Sequence, residues 1–113
     1  KLKKTNIKLA INLMQISEQK KINVTKILKK LSKEKIDIIY FADSLGCMSI
    51  KDVKEIIHLF KKNCNAEIGF HAHDNMGKAK QNVLAALKNN CNWIDTTVLG
   101  MGRGAGNAKT EDL

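Results

Sequence analysis

The sequence predicts an α/β fold in which parallel strands alternate with helices. Short apolar runs rich in β-formers begin near residues 7, 36, 67 and 93, a recurrence of about 30 residues that suits a strand–helix unit. Between these runs the apolar residues change period, recurring at i, i+3, i+4 and i+7 as on one face of a helix. The strands themselves read as apolar on both faces, the pattern of a parallel sheet covered by helices. Such a sheet is either doubly wound or closed into an eight-stranded barrel. In both, ligands gather at the carboxyl ends of the strands.

The first strand is drawn from Ile7 to Gln15 (IKLAINLMQ), and its helix carries the stripe Val24, Ile27, Leu28 and Leu31. The second strand, Ile36 to Asp43 (IDIIYFAD), is almost continuously apolar. Ser49 stands where it can cap a helix whose stripe is Val53, Ile56, Ile57 and Phe60. A third strand spans Glu67 to His73, and its helix runs from about Lys78 to Asn90 with Val83, Leu84 and Leu87 turned inward. The fourth strand covers Trp93 to Leu99. Thr110-Glu-Asp-Leu then reads as the first turn of another helix, with a cap and early acids.

At 113 residues the chain has the length of one small domain. Its 43% hydrophobic and 27% charged residues are those of a soluble globular protein, and no apolar run approaches the roughly 20 residues of a membrane span. Cys47, Cys64 and Cys91 are odd in number and form no CxxC pair, which points to reduced thiols and a cytoplasmic location. The net charge of +9 is nearly all lysine, spread along exposed helix faces with few aromatics for bases to stack on. A solvated lysine surface is the expected reading, with no nucleic acid and no membrane as partner. The competing reading from another class is a basic, non-catalytic binding module, whose affinity for nucleic acid falls steeply with salt. The chain opens without methionine, and four barrel strands leave two unpaired edges, which proteins avoid. Residues 1–113 are therefore expected to be part of a longer barrel.

The chemistry concentrates in GFHAHDNMGKAKQN, Gly69 to Asn82. On a strand, His71 and His73 point to one face, whereas a helix would part them. Two imidazoles at a strand end make half of a divalent metal site; the alternative is a pair of hydrogen-bonded structural histidines. Asp74 and Asn75 either orient these rings from behind or begin the next turn. His58 lies off the apolar stripe of its helix and reads as a solvated side chain. Asp43-Ser44-Leu45-Gly46 is either an ordinary strand-to-helix turn or a site where Ser44 donates a hydrogen bond to a substrate oxygen.

The loop Gly100-Met-Gly-Arg-Gly-Ala-Gly-Asn107 holds a GxGxxA match to a dinucleotide fingerprint, but no helix begins there at once. Ala108-Lys109-Thr110 likewise lacks the glycine that a phosphate loop needs before its lysine. What the glycines permit is a tight path over the rim that brings Arg103 and Asn107 close to a ligand. Asn107 can supply a neutral oxygen to a metal. Arg103 either binds a substrate carboxylate bidentately or only a neighbouring loop.

Taken in this order and spacing, HAHDN followed by GMGRGAGNAKTEDL resembles the metallolyase superfamily of TIM barrels. That superfamily comprises HMG-CoA lyase-like and pyruvate carboxyltransferase domains, 4-hydroxy-2-oxovalerate aldolase, and the isopropylmalate, homocitrate and citramalate synthases. The glycine loop is nearest the aldolase branch, from whose usual GMGAGAGNA it differs only at Arg103. The order Asp74-Asn75 departs from the HxHND of the synthases. No cysteine follows Cys91, as the coenzyme A lyase would require, although the closing TEDL is shared with that lyase.

The resemblance implies a (β/α)8 TIM barrel of which this chain forms about strands four to seven. It implies a divalent metal on His71 and His73, Asn107 as a further ligand or near neighbour, and Ser44 against the substrate. The remaining ligand, an aspartate beside an arginine on the first strand, is absent from this sequence, and no catalytic base is assigned. The segment alone is thus expected to be inactive. The implied reaction is metal-dependent cleavage of a 4-hydroxy-2-oxo acid to pyruvate and an aldehyde. Mn²⁺ is the foremost candidate, followed by Mg²⁺, Co²⁺ or Zn²⁺, and the cation stabilises charge on the keto oxygen. The alternative within the superfamily is an acyl-CoA-dependent Claisen-condensing synthase. Implied partners are a small 2-oxo acid and either a second copy in a homodimer or a dehydrogenase.

Overall fold

Runs of β-branched and aromatic residues set the strands, and apolar residues three and four apart set the helices between them. The computed structural model describes residues 6–113. In chain order it holds β1 (Ala10–Leu13), α1 (Lys21–Leu31), β2 (Ile38–Asp43), α2 (Ile50–Asn63), β3 (Glu67–Ala72), α3 (Ala79–Lys88) and β4 (Trp93–Asp95). The four strands form one sheet in the order β1-β2-β3-β4, and every pairing is parallel. Among the described residues, β1 and β4 each pair along one edge only. No helix there is long and apolar enough to cross a membrane.

The three helices cover one face of this sheet. Ile39, Phe41, Ile68, Phe70 and Ala72 project into the core and meet Val24 and Leu28 of α1, Val53, Ile57 and Phe60 of α2, and Val83 and Ala86 of α3. Phe41 stacks on Phe70 with centroids 4.5 Å apart and takes Phe60 edge-on at 5.5 Å, both favoured aromatic arrangements. Ser49 closes the expected cap as a full capping box. Its hydroxyl accepts from the Asp52 amide at 3.2 Å, and the Asp52 carboxylate accepts from the Ser49 amide at 2.8 Å.

The other face corrects the expectation of strands apolar on both sides for β1, β3 and β4, while β2 keeps Ile38 and Ala42 buried there. Register pairs Asn12 with Tyr40, Tyr40 with Gly69, Ala42 with His71, and His71 with Asp95, so these residues share the face away from the helices.

Several boundaries also differ from those read in the sequence. β1 and β2 begin later, at Ala10 and Ile38. β4 ends at Asp95 because Thr97 leaves to bridge Lys109 and Leu99 turns left-handed (φ 55°) within a 3-10 turn, Val98–Gly100. Leu84 and Leu87 do not face inward; α3 instead closes on the sheet with small residues, Ala79 and Ala86 beside Val83, which suits a close helix–strand approach. Ile27 is likewise exposed, leaving Val24 and Leu28 as the buried residues of α1. Thr110–Asp112 forms a 3-10 turn without a side-chain cap.

Candidate metal centre

The carboxyl ends of β2 and β3 and the glycine loop after β4 converge on one rim. At the end of β2, Asp43 is buried, and its carboxylate accepts from the backbone N–H groups of Cys47 (3.1 Å) and Met48 (3.0 Å). Asp43 therefore shapes the strand-to-helix turn. Ser44 Oγ accepts from the Gln15 amide at 3.0 Å, tying the end of β2 to the end of β1 without using the hydroxyl proton. The turn reading of Asp43 and the rim position of Ser44 thus coexist.

Asp74 and Asn75 tie loops together rather than orient the histidine rings. Asp74 Oδ1 accepts from the Ala79 amide at 2.8 Å, at the start of α3, while its own amide donates to the Gly106 carbonyl at 2.9 Å. Asn75 Nδ2 donates to the Leu45 carbonyl at 3.2 Å, and Asn75 Oδ1 accepts from the Ala105 amide at 3.0 Å. The glycine loop is thereby pinned to the two neighbouring loops. Its return also needs glycine: Gly106 has φ +95°, and a Cβ there would lie 1.9 Å from the Gly100 carbonyl oxygen. The returning backbone joins the end of β3, since the Ala108 amide donates to the Ala72 carbonyl at 2.9 Å and Asn107 bridges His73.

His71 and His73 consequently sit side by side on this rim, with ring centroids 5.1 Å apart and planes at 76°. His73 is buried and His71 half-buried. Burial, then the neighbouring His71 and Arg103, hold the His73 pKa below the ordinary 6.5. That favours the neutral imidazole, the form that ligates a metal. Arg103 is exposed on the loop, close enough to His73 to act on its charge.

Asn107 is buried. Its Nδ2 donates to the Met101 carbonyl at 3.0 Å, while its Oδ1 is buried with no hydrogen-bond partner. An orphaned buried acceptor costs roughly 1–3 kcal/mol and calls for a partner. Two adjacent imidazoles and a hard neutral oxygen form a donor set that fits a divalent cation. Among the described residues, no three His, Cys, Asp or Glu side chains converge in metal-binding geometry, so the set rests on these two histidines and the amide.

Two residues of the site were not singled out in the sequence. His71 Nδ1 is 3.3 Å from Asp95 Oδ2, within ion-pair distance though off the line of a hydrogen bond. Tyr40, on the next strand over, has its hydroxyl pKa pushed up to about 12, by burial first and then by the Asp95 carboxylate. Alternation within WID signals that Asp95 shares a face with Trp93. Only the register between strands brings it to His71.

Against known proteins, the HMGL-like family model matches residues 1–113, the whole chain. The chain belongs to the HMGL-like family. A 4-hydroxy-2-oxovalerate aldolase of Carboxydothermus hydrogenoformans is 44% identical over 77 residues, covering 68% of this chain and 23% of the aldolase. One from Thermus thermophilus is 44% identical over 78 residues, covering 68% and 22%. Among solved structures, the N-terminal domain of a candidate aldolase from Bacteroides vulgatus superposes with TM-score 0.86 at 33% identity, covering 97% of this chain and 37% of that one. The HMG-CoA lyase of Bacillus subtilis gives TM-score 0.86 at 23% identity, with coverage of 97% and 41%, and shows the shared fold. The HMGL-like chain thus spans about a quarter of the curated relatives it matches, and its fold is a segment of a TIM-barrel aldolase or lyase domain. The family is one of enzymes, named for aldolase and lyase activities.

Proposed function

We propose that residues 1–113 supply three strand ends of a metal-dependent aldolase site that cleaves a 4-hydroxy-2-oxo acid into pyruvate and an aldehyde. The observation that carries this reading is the side-by-side placement of the His71 and His73 rings on one rim, with Asn107 bridged to His73 through the backbone and its buried Oδ1 left without a partner. The relatives named as 4-hydroxy-2-oxovalerate aldolases support the substrate class. His71, His73 and Asn107 hold a divalent cation, Mn²⁺ foremost, with Mg²⁺, Co²⁺ and Zn²⁺ as alternatives. The cation supplies Lewis acidity for charge that develops on the substrate's keto oxygen. Ser44 uses its hydroxyl proton, which the bond from Gln15 leaves unspent, to donate to a substrate oxygen. Arg103 presents its guanidinium fork to the carboxylate. The further ligand and the proton-transferring base come from residues outside these 113.

The test follows pyruvate release from a series of 4-hydroxy-2-oxo acids by NADH-coupled reduction, using the whole protein that carries this segment with Mn²⁺ and with a chelator. Chelator-sensitive pyruvate formation is the expected result. Turnover that appears only with acetyl-CoA replaces cleavage by condensation, and full activity in a His73→Ala variant removes the metal assignment.

A further inference from the structure

We propose that Asp95 is a positioning residue for His71: held by Tyr40, its carboxylate fixes the imidazole with the proton on Nδ1 and leaves Nε2 to face the cation. The strand pattern places the group. Asp95 is the register partner of His71 across β3 and β4, on the sheet face away from the helices, and its Oδ2 lies 3.3 Å from a buried Nδ1 that has no hydrogen-bond partner. A carboxylate beside one ring nitrogen favours the tautomer that carries its proton there, and the opposite nitrogen is then the free donor.

Tyr40 comes from the far side of the same strand. Its register partner on β3 is Gly69, and a Cβ at Gly69 would lie 2.5 Å from the Tyr40 ring carbons. The missing side chain is thus what lets the tyrosine lie across β3 toward β4. That the Asp95 carboxylate helps push the Tyr40 hydroxyl up to about 12 shows the two within electrostatic reach. Tyr40, Asp95 and His71 therefore form a line over three neighbouring strands, with glycine as the gap that admits it. A carboxylate so placed is half-buried, and a neutral phenol beside it limits its wandering toward solvent.

The orienting role serves the metal reading, whereas the tautomer stands without it, so the two fail separately. The experiment uses the whole protein that carries this segment, ¹⁵N-labelled on histidine and metal-free, at a pH where imidazole is neutral. Long-range ¹H–¹⁵N correlation reads the tautomer of each histidine, and Mn²⁺ affinity is then measured on the same samples. Wild type is expected to show His71 as the Nδ1–H tautomer with exposed His58 as the solvated reference. Asp95→Asn, which offers a donor as readily as an acceptor, should return His71 toward the His58 pattern and weaken Mn²⁺ binding about 10–100-fold. Tyr40→Phe should move both readouts the same way by less, and it also serves if Asp95→Asn fails to give a native spectrum. A His71 tautomer unchanged in both variants overturns the proposal even if Mn²⁺ binds. An Nδ1–H tautomer that shifts as expected in a whole protein indifferent to Mn²⁺ leaves Asp95 in place and removes the metal reading.

Discussion

His73 carries the site through its surroundings: it is buried, bridged to Asn107, and held toward the neutral form by burial and by His71 and Arg103. His73→Ala should lower Mn²⁺ affinity by more than about 100-fold, beyond what a ligand-orienting partner carries, with the far-ultraviolet spectrum unchanged. Calorimetric titration reads the affinity. Gly106 is the residue on which the loop turns, since a Cβ there meets the Gly100 carbonyl at 1.9 Å and φ is +95°. Gly106→Ala should cost about 1–3 kcal/mol, seen as a lower urea midpoint at unchanged slope. At this scale the sequence was legible where the signal is local. Alternation in His71-Ala-His73 fixes a shared face, and a run of glycines marks a close loop. Tyr40 and Asp95 were not legible, because their meeting depends on register across β3 and on the open position at Gly69, neither of which is written in either strand alone.

At the scale of elements, α2 was the most readable, because its start and its stripe agree. Ser49 and Asp52 satisfy each other's amides, and Val53, Ile56, Ile57 and Phe60 are all buried. Ser49→Ala should destabilise the chain by about 1 kcal/mol. The hydrogen bonds from Ser49 hold the Asp52 carboxyl below its ordinary value of 3.8. A depressed native pKa gives stability that is present above the unfolded value and lost as pH falls through the native one. The gap between wild type and Ser49→Ala should therefore narrow below about pH 4 in denaturation series, where unfolded carboxyls are protonated. α3 and β4 were harder to read. Alanine supplies the inward contact in α3, so Leu84 and Leu87 mislead, and the β-formers after Asp95 go into a loop that bridges Lys109 instead of a sheet.

Among the described residues, one face of the sheet is sealed by helices and the other carries the site. In the whole protein, bound Mn²⁺ should stabilise the fold through mass action by about 2.7 kcal/mol at a hundredfold excess over Kd, read as a higher unfolding temperature that His73→Ala abolishes. The free cysteines divide by the same geometry. Burial raises the Cys64 thiol and pushes Cys91 up to about 11, whereas Cys47 is exposed at the start of the loop into α2. Iodoacetamide at neutral pH should therefore add a single label at Cys47, with Cys64 and Cys91 reacting only on unfolding, as mass spectrometry would show. The net charge of +9 is nearly all lysine and is spread along the whole sequence, which is why composition said little about the site.

The three histidines offer the most direct measurement, since two belong to the rim and His58 lies exposed on α2 as a control within the same molecule. Substoichiometric Mn²⁺ is added to the ¹⁵N-labelled whole protein that carries this segment while the resonances of these three imidazoles are followed. Selective broadening of His71 and His73, together with the Asn107 side-chain amide and with His58 left sharp, is the result this account predicts. Broadening of His58 to the same degree, or of none of the three, would contradict it.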